Sequence, residues 1–319
     1  MSDRTVVLVV PPISGGRLDD KEIIKWLSRG EETVSPREDS LLARVLFELG
    51  ISRADRGLAA LRYLGDMGQA AGEFICAADP IHFQTRMRDL VVQELPAAQV
   101  SVEEVTAIFD TLQGSLGSET GTRFEAHGRR GYVLHSSPFD TSDVSTREAS
   151  GTVADRFMPS GSSAGDYHRL QSEIQMVLHD HPVNSRRDER GQPRISALWL
   201  WGGGSTPAKD SARLPTYSGS HGLLRGYWIH EGGHVANADK TTLADVFGSP
   251  SGAVADLTQA AEADLIAGLG EAKRLLARGS IRKLSVVSQD GFTIRLNRWN
   301  TWRFWNTGSK LMDSAHAGL

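Results

Sequence analysis

The stretch Asp166–Pro207 reads DYHRLQSEIQMVLHDHPVNSRRDERGQPRISALWLWGGGSTP. Its first part places four apolar residues on one face of a helix, at i, i+4, i+7 and i+8: Leu170, Ile174, Val177 and Leu178. Asp166 is expected to cap this helix, and Pro182 prevents it from continuing far beyond His181. The pattern predicts a helix, then a polar turn, then a strand.

The predicted turn is rich in arginine and carries Asn184, Arg186, Arg187 and Arg190. Ile195–Trp201 is then an apolar run, too short for a helix, that ends in Gly202-Gly203-Gly204. A buried strand that opens into a glycine loop is how open α/β sheets build ligand sites at the carboxyl ends of their strands. The alternative is a helix–turn–strand unit whose glycines only make a tight turn, because a glycine-rich loop is a weak signal by itself.

Other apolar stretches predict an α/β fold with a mostly parallel sheet as its core. Thr5–Val10 is continuous, apolar and β-branched, which is typical of a central parallel strand, and we expect it beside Ile195–Trp201 in one sheet. Two segments near the C-terminus, Lys283–Val287 and Phe292–Leu296, predict a hairpin with an Asp-Gly turn. Helical spacing occurs in four further segments: Asp19–Arg29, Ser40–Leu49, Arg53–Leu64 and residues 257–278.

The middle of the chain predicts a small α+β insert lobe at residues 72–137. Its expected elements are Glu73–Ala77, Leu90–Leu95, the helix Val102–Leu116, and a strand pair at Thr122–Ala126 and Gly131–His135. A polar linker, Pro138–Gly165, is expected to return the chain to the core. The predicted α/β core therefore consists of residues 1–71 and 138–319.

Composition limits the classes of function. The chain has 319 residues, 39% of them hydrophobic, which is enough for a substantial core, and its net charge of −4 gives no footprint for nucleic acid. No apolar run predicts a membrane span or a signal peptide, so we expect a soluble, cytoplasmic protein without a membrane partner. The single cysteine, Cys76, lies in an apolar run and is expected to be a buried, inert thiol.

Two histidine motifs invite a metal interpretation. His230-Glu231-Gly232-Gly233-His234 spells the H-E-x-x-H zinc pattern, which needs a helix so that both histidines share a face. Each of its two glycines would cost a helix about 1 kcal/mol, and no third ligand follows, so we interpret it as a chance match in a loop. In His179-Asp180-His181, residues i and i+2 point to different faces, and we expect His181 to cap or buttress the turn.

The segment HPVNSRRDERGQPRISALWLWGGG, residues 181–204, resembles a motif of archaeal-type cofactor-independent phosphoglycerate mutases, members of the alkaline-phosphatase superfamily. ADPIHFQTRMRDLVV, residues 78–92, and the overall layout resemble a proteobacterial offshoot labelled phosphoglycerate mutase or Rpf-type regulatory protein. The resemblance covers roughly residues 70–207 and implies an alkaline-phosphatase-like core with an inserted domain.

The resemblance also implies a set of ligand residues. In the mutases the matching His-Pro-x-Asn turn lies near the active cleft, and Ser142-Asp143 resembles the start of a Ser-Asp-Thr-Asp-Pro-His segment. Arginine suits phosphate, and glycine N–H groups suit an anion, so we expect a phosphorylated small molecule here and expect Gly203→Val to weaken its binding while leaving the fold largely intact. The alternative is a solvated charged turn. The candidate ligand residues are Ser142, Asp143, His181, Asn184, Arg187, Arg190, Gly202 and Gly203.

The chain departs from the resembled family at the metals. The mutases use two divalent ions, with an aspartate directly after the first strand, whereas Val10-Pro11-Pro12 follows that strand here and the next carboxylate is Asp19. The predicted C-terminal hairpin replaces the region that supplies further Asp and His ligands in the family. We therefore expect no cofactor and can name no catalytic residue. The counter-case is that Asp19, Asp143, His181 and His234 converge on ions in the folded chain.

Two functions remain open at this point. The first is a phosphoglycerate-mutase-like protein with a degenerate metal site that binds a ligand or partner in a regulatory role. The second is an active phosphoryl-transfer enzyme, either a mutase (an isomerase) or a phosphomonoesterase, that uses two divalent ions, Mn²⁺ or Zn²⁺. Aromatic residues near the C-terminus are expected to dock the terminus or to form a surface for a protein partner: Trp299, Trp302, Phe304 and Trp305.

Overall fold

A computed structural model describes residues 5–13, 18, 20–36, 39–52, 56–117, 121–210, 212–236, 243–249 and 252–299. The chain divides into two compact units: unit 1 is Met1–Ala54 with Lys209–Leu319, and unit 2 is Asp55–Ala208. Among the helices described, none combines the length and the apolar character that crossing a bilayer requires.

The strands and helices are numbered in chain order over this described part. The strands are β1 (Thr5–Val10), β2 (Glu31–Val34), β3 (Phe74–Arg86), β4 (Asp89–Glu94), β5 (Thr122–His127), β6 (Arg130–His135), β7 (Ala197–Gly204), β8 (Thr216–Ser218), β9 (Val235–Ala236), β10 (Ala253–Asp256), β11 (Lys283–Ser288) and β12 (Phe292–Asn297). The helices are α1 (Lys21–Leu27), α2 (Leu41–Glu48), α3 (Leu58–Met67), α4 (Val102–Leu116), α5 (Thr146–Ala149), α6 (Gly165–His179), α7 (Pro182–Glu189), α8 (Gly222–Glu231), α9 (Leu243–Gly248) and α10 (Glu262–Ala277).

Unit 1 is built on a mostly parallel sheet with the strand order β2-β12-β11-β1-β10-β8-β9. The pairs from β11 through β9 are parallel, and β12 and β2 add an antiparallel edge. Helices α1, α9 and α10 pack their apolar residues against one face, while α2 packs against β1 and β11. The predicted α/β fold with a mostly parallel central sheet is confirmed, and β1 is apolar throughout because it lies in the middle of this sheet.

A buried carboxylate fastens α2 to the antiparallel edge of unit 1. Glu48 accepts a hydrogen bond from Ser285 Oγ at 2.6 Å and from Arg295 Nε and Nη2 at 2.8 and 2.7 Å. Burial alone would raise the pKa of Glu48, but the hydrogen bonds from Arg295 and Ser285 and the charges of Lys283 and Arg295 outweigh it and lower that pKa. The group is therefore a paired, charged anchor.

Unit 2 contains an antiparallel sheet with β3 at its centre. Ala78 of β3 pairs with Gly131 of β6 on one side and with Leu200 of β7 on the other. β4 pairs with the second half of β3, and β5 pairs with β6. Helices α4 and α6 pack on one face of this sheet, and residues of α3 pack on the opposite side with Ile75 and Tyr132.

The expectation that β1 and the strand at Ile195–Trp201 are neighbours is wrong. That strand is β7, and it pairs with β3 in unit 2 in the antiparallel direction. Its apolar run is continuous because both faces are covered, by α6 on one side and by α3 on the other, and burial on both faces erases alternation whatever the strand direction. The lobe expected at 72–137 is the middle of unit 2, which also includes α3 and the chain from residue 138 to 208.

Two local expectations also change. The arginine-rich turn after His181 is the helix α7, and the three glycines are the last residues of β7 instead of a loop. The apolar pattern of the sequence does not reveal α7, because two of the three residues that this helix buries, Asn184 and Arg187, are polar and the third is Val183.

A buried ionic network holds α3 to the sheet of unit 2. Arg62 donates through Nη1 to both carboxylate oxygens of Asp79, at 2.8 and 2.9 Å. Thr146 Oγ1 and Trp201 Nε1 donate to the same carboxylate at 3.1 and 2.8 Å. Burial alone would lower the pKa of Arg62, but the adjacent Asp79 carboxylate raises it, so the guanidinium stays charged. The network joins α3, β3, α5 and β7.

Candidate functional site

The eight residues expected to bind a ligand all lie in unit 2. The structure gives most of them partners within the protein, and those partners show what each side chain does in the fold.

His181 caps α7. Its Nδ1 accepts a hydrogen bond from the Val183 backbone N–H at 3.2 Å, so the proton of the neutral ring is on Nε2. Nε2 then donates to Thr111 Oγ1 at 3.0 Å, and that hydroxyl donates to the Ala107 carbonyl at 2.9 Å. Burial lowers the pKa of His181, which keeps the imidazole neutral and able to accept. The geometry is that of the capping role expected from the sequence.

Asn184 joins the end of α6 to the segment that enters β7. It is 1% exposed, and its Nδ2 donates to the carbonyls of Leu178 and Ile195 at 2.8 and 2.9 Å. Its Oδ1 accepts from the Ile195 N–H at 2.8 Å. All three hydrogen bonds go to buried backbone groups, so the side chain is committed to the fold.

Arg187 is fully buried and does not belong to a solvated turn. Its Nε donates to the Pro193 carbonyl at 2.7 Å, and its Nη1 donates to the Gln99 carbonyl at 2.8 Å and to Glu104 Oε2 at 3.0 Å. The guanidinium thereby anchors the N-terminus of α4, where Glu104 is part of the capping box. Arg190, in contrast, is exposed at the end of α7.

The N–H groups of the two candidate glycines already have acceptors. Gly202 donates to the Ser142 carbonyl at 2.8 Å, and Gly203 donates to Thr141 Oγ1, also at 2.8 Å. Because each N–H can donate one good hydrogen bond, neither is free for an anion in this conformation. Gly202 has a φ of +64°, and a Cβ on Gly203 would lie 2.7 Å from Thr141 Oγ1. Both glycines therefore have structural reasons to be there.

Ser142 and Asp143 differ from each other. Ser142 is 1% exposed, and its Oγ both donates to the Val144 carbonyl and accepts from the Val144 N–H, at 3.1 Å each. This local ring of hydrogen bonds occupies the hydroxyl. Asp143 is exposed. Of the eight candidates, Asp143 and Arg190 are the ones whose side chains face solvent.

The sequence did not point to the carboxyl edge of the parallel sheet in unit 1. There β1 lies between β10 and β11, with Val9 paired to Asp256 and Val10 paired to Ser288. Open α/β sheets bind ligands at this edge. Asp256 ends β10, and Asp290 follows β11 by two residues, so a carboxylate at or just beyond the end of each short apolar run was the available signal.

The Asp256 carboxylate is fully engaged by its own neighbourhood. Oδ1 accepts from Thr258 N–H and Oγ1 at 3.0 and 2.6 Å, and Oδ2 accepts from the N–H groups of Ser220 and His221 at 3.2 and 2.8 Å. Tyr217 Oη donates to Oδ2 at 3.3 Å. Burial, together with the negative charge of Asp256, raises the pKa of Tyr217, so the hydroxyl stays protonated and can donate. These five donors engage the carboxylate lone pairs that a metal ion would need.

Asp290 has a similar role beside the end of β1. Its Oδ2 accepts from the Ile13 N–H at 2.9 Å, and its Oδ1 accepts from Ser288 Oγ. Ser288 Oγ also lies 3.0 Å from the Pro11 carbonyl. The carboxylate thus holds the loop after β1 against the loop after β11.

The described residues of this edge do not gather the ligands that a pair of divalent ions needs. The chain after β1 contributes to a small apolar pocket, and among the described residues no group of three or more His, Cys, Asp or Glu is placed to hold a metal. A two-metal centre needs several carboxylates and histidines converging on ions roughly 3.5–4 Å apart. Asp19, part of the counter-case, lies outside the described residues. The pocket is lined by Val10, Pro11, Pro12, Ile13, Leu18, Leu27, Leu265, Leu269 and Val286.

The H-E-x-x-H run is split by the end of a helix. His230 and Glu231 are the last residues of α8, which corrects the expectation of a loop for these two. Gly232 then adopts the left-handed conformation with a φ of 74° and caps the helix, so His234 lies beyond it. The two histidines therefore do not have the i, i+4 relation on a helix that the zinc motif requires.

Over part of its length, the chain is similar to 2,3-bisphosphoglycerate-independent phosphoglycerate mutases. It is 25% identical to the Methanosarcina barkeri mutase over 136 residues, 41% of this chain and 34% of the relative. It is 26% identical to the Methanosarcina mazei mutase over 168 residues, 49% of this chain and 42% of the relative. The matched stretches thus span less than half of these curated relatives. No protein-family profile matches the chain.

Two solved structures superpose weakly on the chain. A Pyrococcus horikoshii protein superposes with a TM-score of 0.47 at 15% identity, covering 93% of this chain and 88% of that one. A cofactor-independent phosphoglycerate mutase from Thermoplasma acidophilum superposes with a TM-score of 0.38 at 16% identity, covering 100% of this chain and 96% of that one. We draw no conclusion from either superposition, because both scores are below 0.5.

Replacing Asn184 by leucine tests whether this residue is structural. The substitution removes the partner of the buried Ile195 N–H and carbonyl, while the Leu178 carbonyl keeps its hydrogen bond from the His181 N–H, and we expect the free energy of unfolding of unit 2 to fall by roughly 2–4 kcal/mol. Arg190→Ala, on the exposed end of the same helix, should change it by less than about 0.5 kcal/mol. Urea unfolding of both variants measures this. Small, equal effects would contradict the structural role.

Stability should depend on pH through His181. Its pKa in the folded protein is lowered by burial, so its contribution is complete above the unfolded pKa of about 6.5 and is lost as pH falls below that value. His181→Asn keeps a capping side chain that does not titrate. As the pH is lowered from 8 to 5, the urea midpoint should therefore fall more steeply for the wild type than for this variant. Parallel curves would show that His181 does not titrate differently on folding.

Gly203→Val should destabilise the protein instead of leaving the fold intact. The new Cβ would lie 2.7 and 2.8 Å from Thr141 side-chain atoms and 2.8 Å from Phe74 Cζ, and we expect a loss of about 1–3 kcal/mol in the free energy of unfolding. Gly114→Ala in α4 is the control, because nothing lies within 4 Å of the added Cβ, and it should stabilise by up to about 1 kcal/mol. If Gly203→Val were as stable as the wild type, the strand end would be free to serve a ligand.

Proposed function

We propose that this chain is a phosphoglycerate-mutase-like protein with a degenerate metal site, which binds a ligand or a protein partner in a regulatory role. We also propose that the chain belongs to the proteobacterial Rpf-type offshoot and that the protein is cytoplasmic. Its support is the resemblance of residues 78–92 and 181–204 together with the partial sequence similarity to the mutases.

The observation that carries the proposal is the state of the carboxyl edge in unit 1. Where the resembled mutases have an aspartate after the first strand, this chain has Val10, Pro11 and Pro12 facing an apolar pocket. The nearby carboxylates of Asp256 and Asp290 accept hydrogen bonds that organise the loops. Because these carboxylates already accept hydrogen bonds, the edge supports a role other than metal-assisted phosphoryl transfer, which needs cations beside the transferred group.

The second candidate is an active metal-dependent mutase or phosphatase. The sequence similarity to mutases favours it. A hydroxyl nucleophile would still need a metal or a base to activate it, and Ser142 is buried with its hydroxyl engaged by Val144. Because the described residues gather no group of three or more possible metal ligands, this candidate needs further ligands beside them, such as Asp19.

The proposed ligand is the phosphorylated small molecule that the resemblance implies, and the exposed Arg190 is the candidate residue that remains accessible to its phosphate. The proposed partner surface is the aromatic C-terminal region. Of its residues, Trp299 is 80% exposed, and Trp302, Phe304 and Trp305 lie outside the described residues. A large exposed aromatic side chain supports a role in contacting another protein.

Metal content and turnover separate the two candidates. We expect purified full-length protein, loaded with Mn²⁺ or Zn²⁺ and then dialysed, to retain far less than one ion per chain. We also expect its conversion of 3-phosphoglycerate in an enzyme-coupled assay to stay at the background rate. The Methanosarcina mazei mutase, treated in parallel, is the positive control.

Metal-dependent turnover that EDTA abolishes and Mn²⁺ restores would overturn the proposal. In that case Asp256→Asn and Asp290→Asn identify whether the carboxyl edge supplies ligands, because loss of metal in either variant would place the ion there.

A further inference from the structure

Helix α6 buries two polar side chains that have no hydrogen-bond partner. Tyr167 is 0% exposed and Gln171 is 3% exposed, and both belong to the helix face that packs on the sheet of unit 2. The Tyr167 hydroxyl and both polar atoms of the Gln171 amide, Oε1 and Nε2, have no hydrogen-bond partner among the residues that the structure describes. Neither residue is used by the proposed function.

Leaving these atoms unpaired would be unfavourable. A buried donor or acceptor without a partner costs about 1–3 kcal/mol, and three such atoms on adjacent turns would be a large fraction of the stability of a domain. Native proteins pair buried polar groups with protein or with ordered water. The Tyr167 side chain packs among buried apolar residues and the thiol of Cys76, and no described residue hydrogen-bonds to its hydroxyl.

The spacing allows one small molecule to reach both side chains. Residues i and i+4 of a helix have Cβ atoms about 5–6 Å apart on the same face, so a molecule between their ends can hydrogen-bond to each. The ligand must be neutral, since the hydroxyl and the amide carry no charge and an ion would be buried without a counter-charge. A water molecule needs two to four polar partners, and the Tyr167 hydroxyl together with one polar atom of the Gln171 amide supplies two.

We propose that Tyr167 and Gln171 form an internal hydration site, in which ordered water bridges the Tyr167 hydroxyl and the Gln171 amide beneath α6. The bound water is part of the packing between α6 and the sheet of unit 2. Burial raises the pKa of the Tyr167 hydroxyl, so it stays protonated and can donate to the water. This inference is independent of the proposed regulatory function.

The test is a double-mutant cycle in the full-length chain with Tyr167→Phe and Gln171→Met, which remove the polar atoms at nearly constant volume. Urea unfolding is monitored by hydrogen exchange of peptides from α6, so that the measurement reports on unit 2. Each single variant should lower the folding equilibrium constant about fivefold to tenfold, the typical contribution of one hydrogen bond. The double variant should lower the folding equilibrium constant by clearly less than the product of the two single effects, because the first substitution already releases the water. Gln175→Met, a partly exposed site on the same helix, should leave the midpoint nearly unchanged.

Unchanged or higher midpoints for Tyr167→Phe and Gln171→Met would overturn the proposal, because they would show that the atoms are unpaired in the native protein. A direct Tyr–Gln hydrogen bond would also give coupled losses, so a second measurement distinguishes it. Water-to-protein cross-relaxation to the Gln171 side-chain amide in the wild type is expected. Its absence, with the coupled losses present, would establish the direct bond and reject the water site.

Discussion

Three hydrogen bonds of the Asn184 side chain hold the centre of unit 2 together. They join the carbonyl end of α6 to both backbone groups of Ile195, just before β7 begins. His181 and Arg187 reinforce the same corner by capping α7 and anchoring α4. Because these groups are buried, losing one partner leaves the others unsatisfied, so the corner acts as a unit. β7, and with it one side of β3, depends on this arrangement.

This constraint changes how the similarity to the mutases is understood. The residues that carry the resemblance around 181–204 support the fold of unit 2, and the carboxyl edge of unit 1 uses its aspartates to tie loops to one another. A fold can be retained while the residues of a site change, because the fold depends on packing and backbone satisfaction and a site depends on a few exposed ligands. The proposed loss of metal chemistry is consistent with both observations.

The sequence predicted the elements whose patterns are strong. β1, α4, α6 and the β11–β12 hairpin follow from apolar runs, capping residues and the Asp-Gly turn. The partner of β7 was not predictable, since a strand covered on both faces has the same apolar run in parallel and antiparallel sheets. The roles of Asn184 and Arg187 were also not predictable, because polar residues next to a proline turn have the same composition whether they face solvent or bury themselves against carbonyls far along the chain.

Crystals of the full-length protein grown with excess Mn²⁺, measured at an energy where manganese scatters anomalously, test the central claim most directly. We expect no anomalous peak within coordinating distance of Asp256 or Asp290, whose oxygens accept hydrogen bonds from Thr258, His221 and Ile13. One or two strong peaks at the carboxyl edge of the parallel sheet, with these carboxylates turned toward them, would contradict the proposed loss of the metal site. Such peaks would support a metal-dependent enzyme instead.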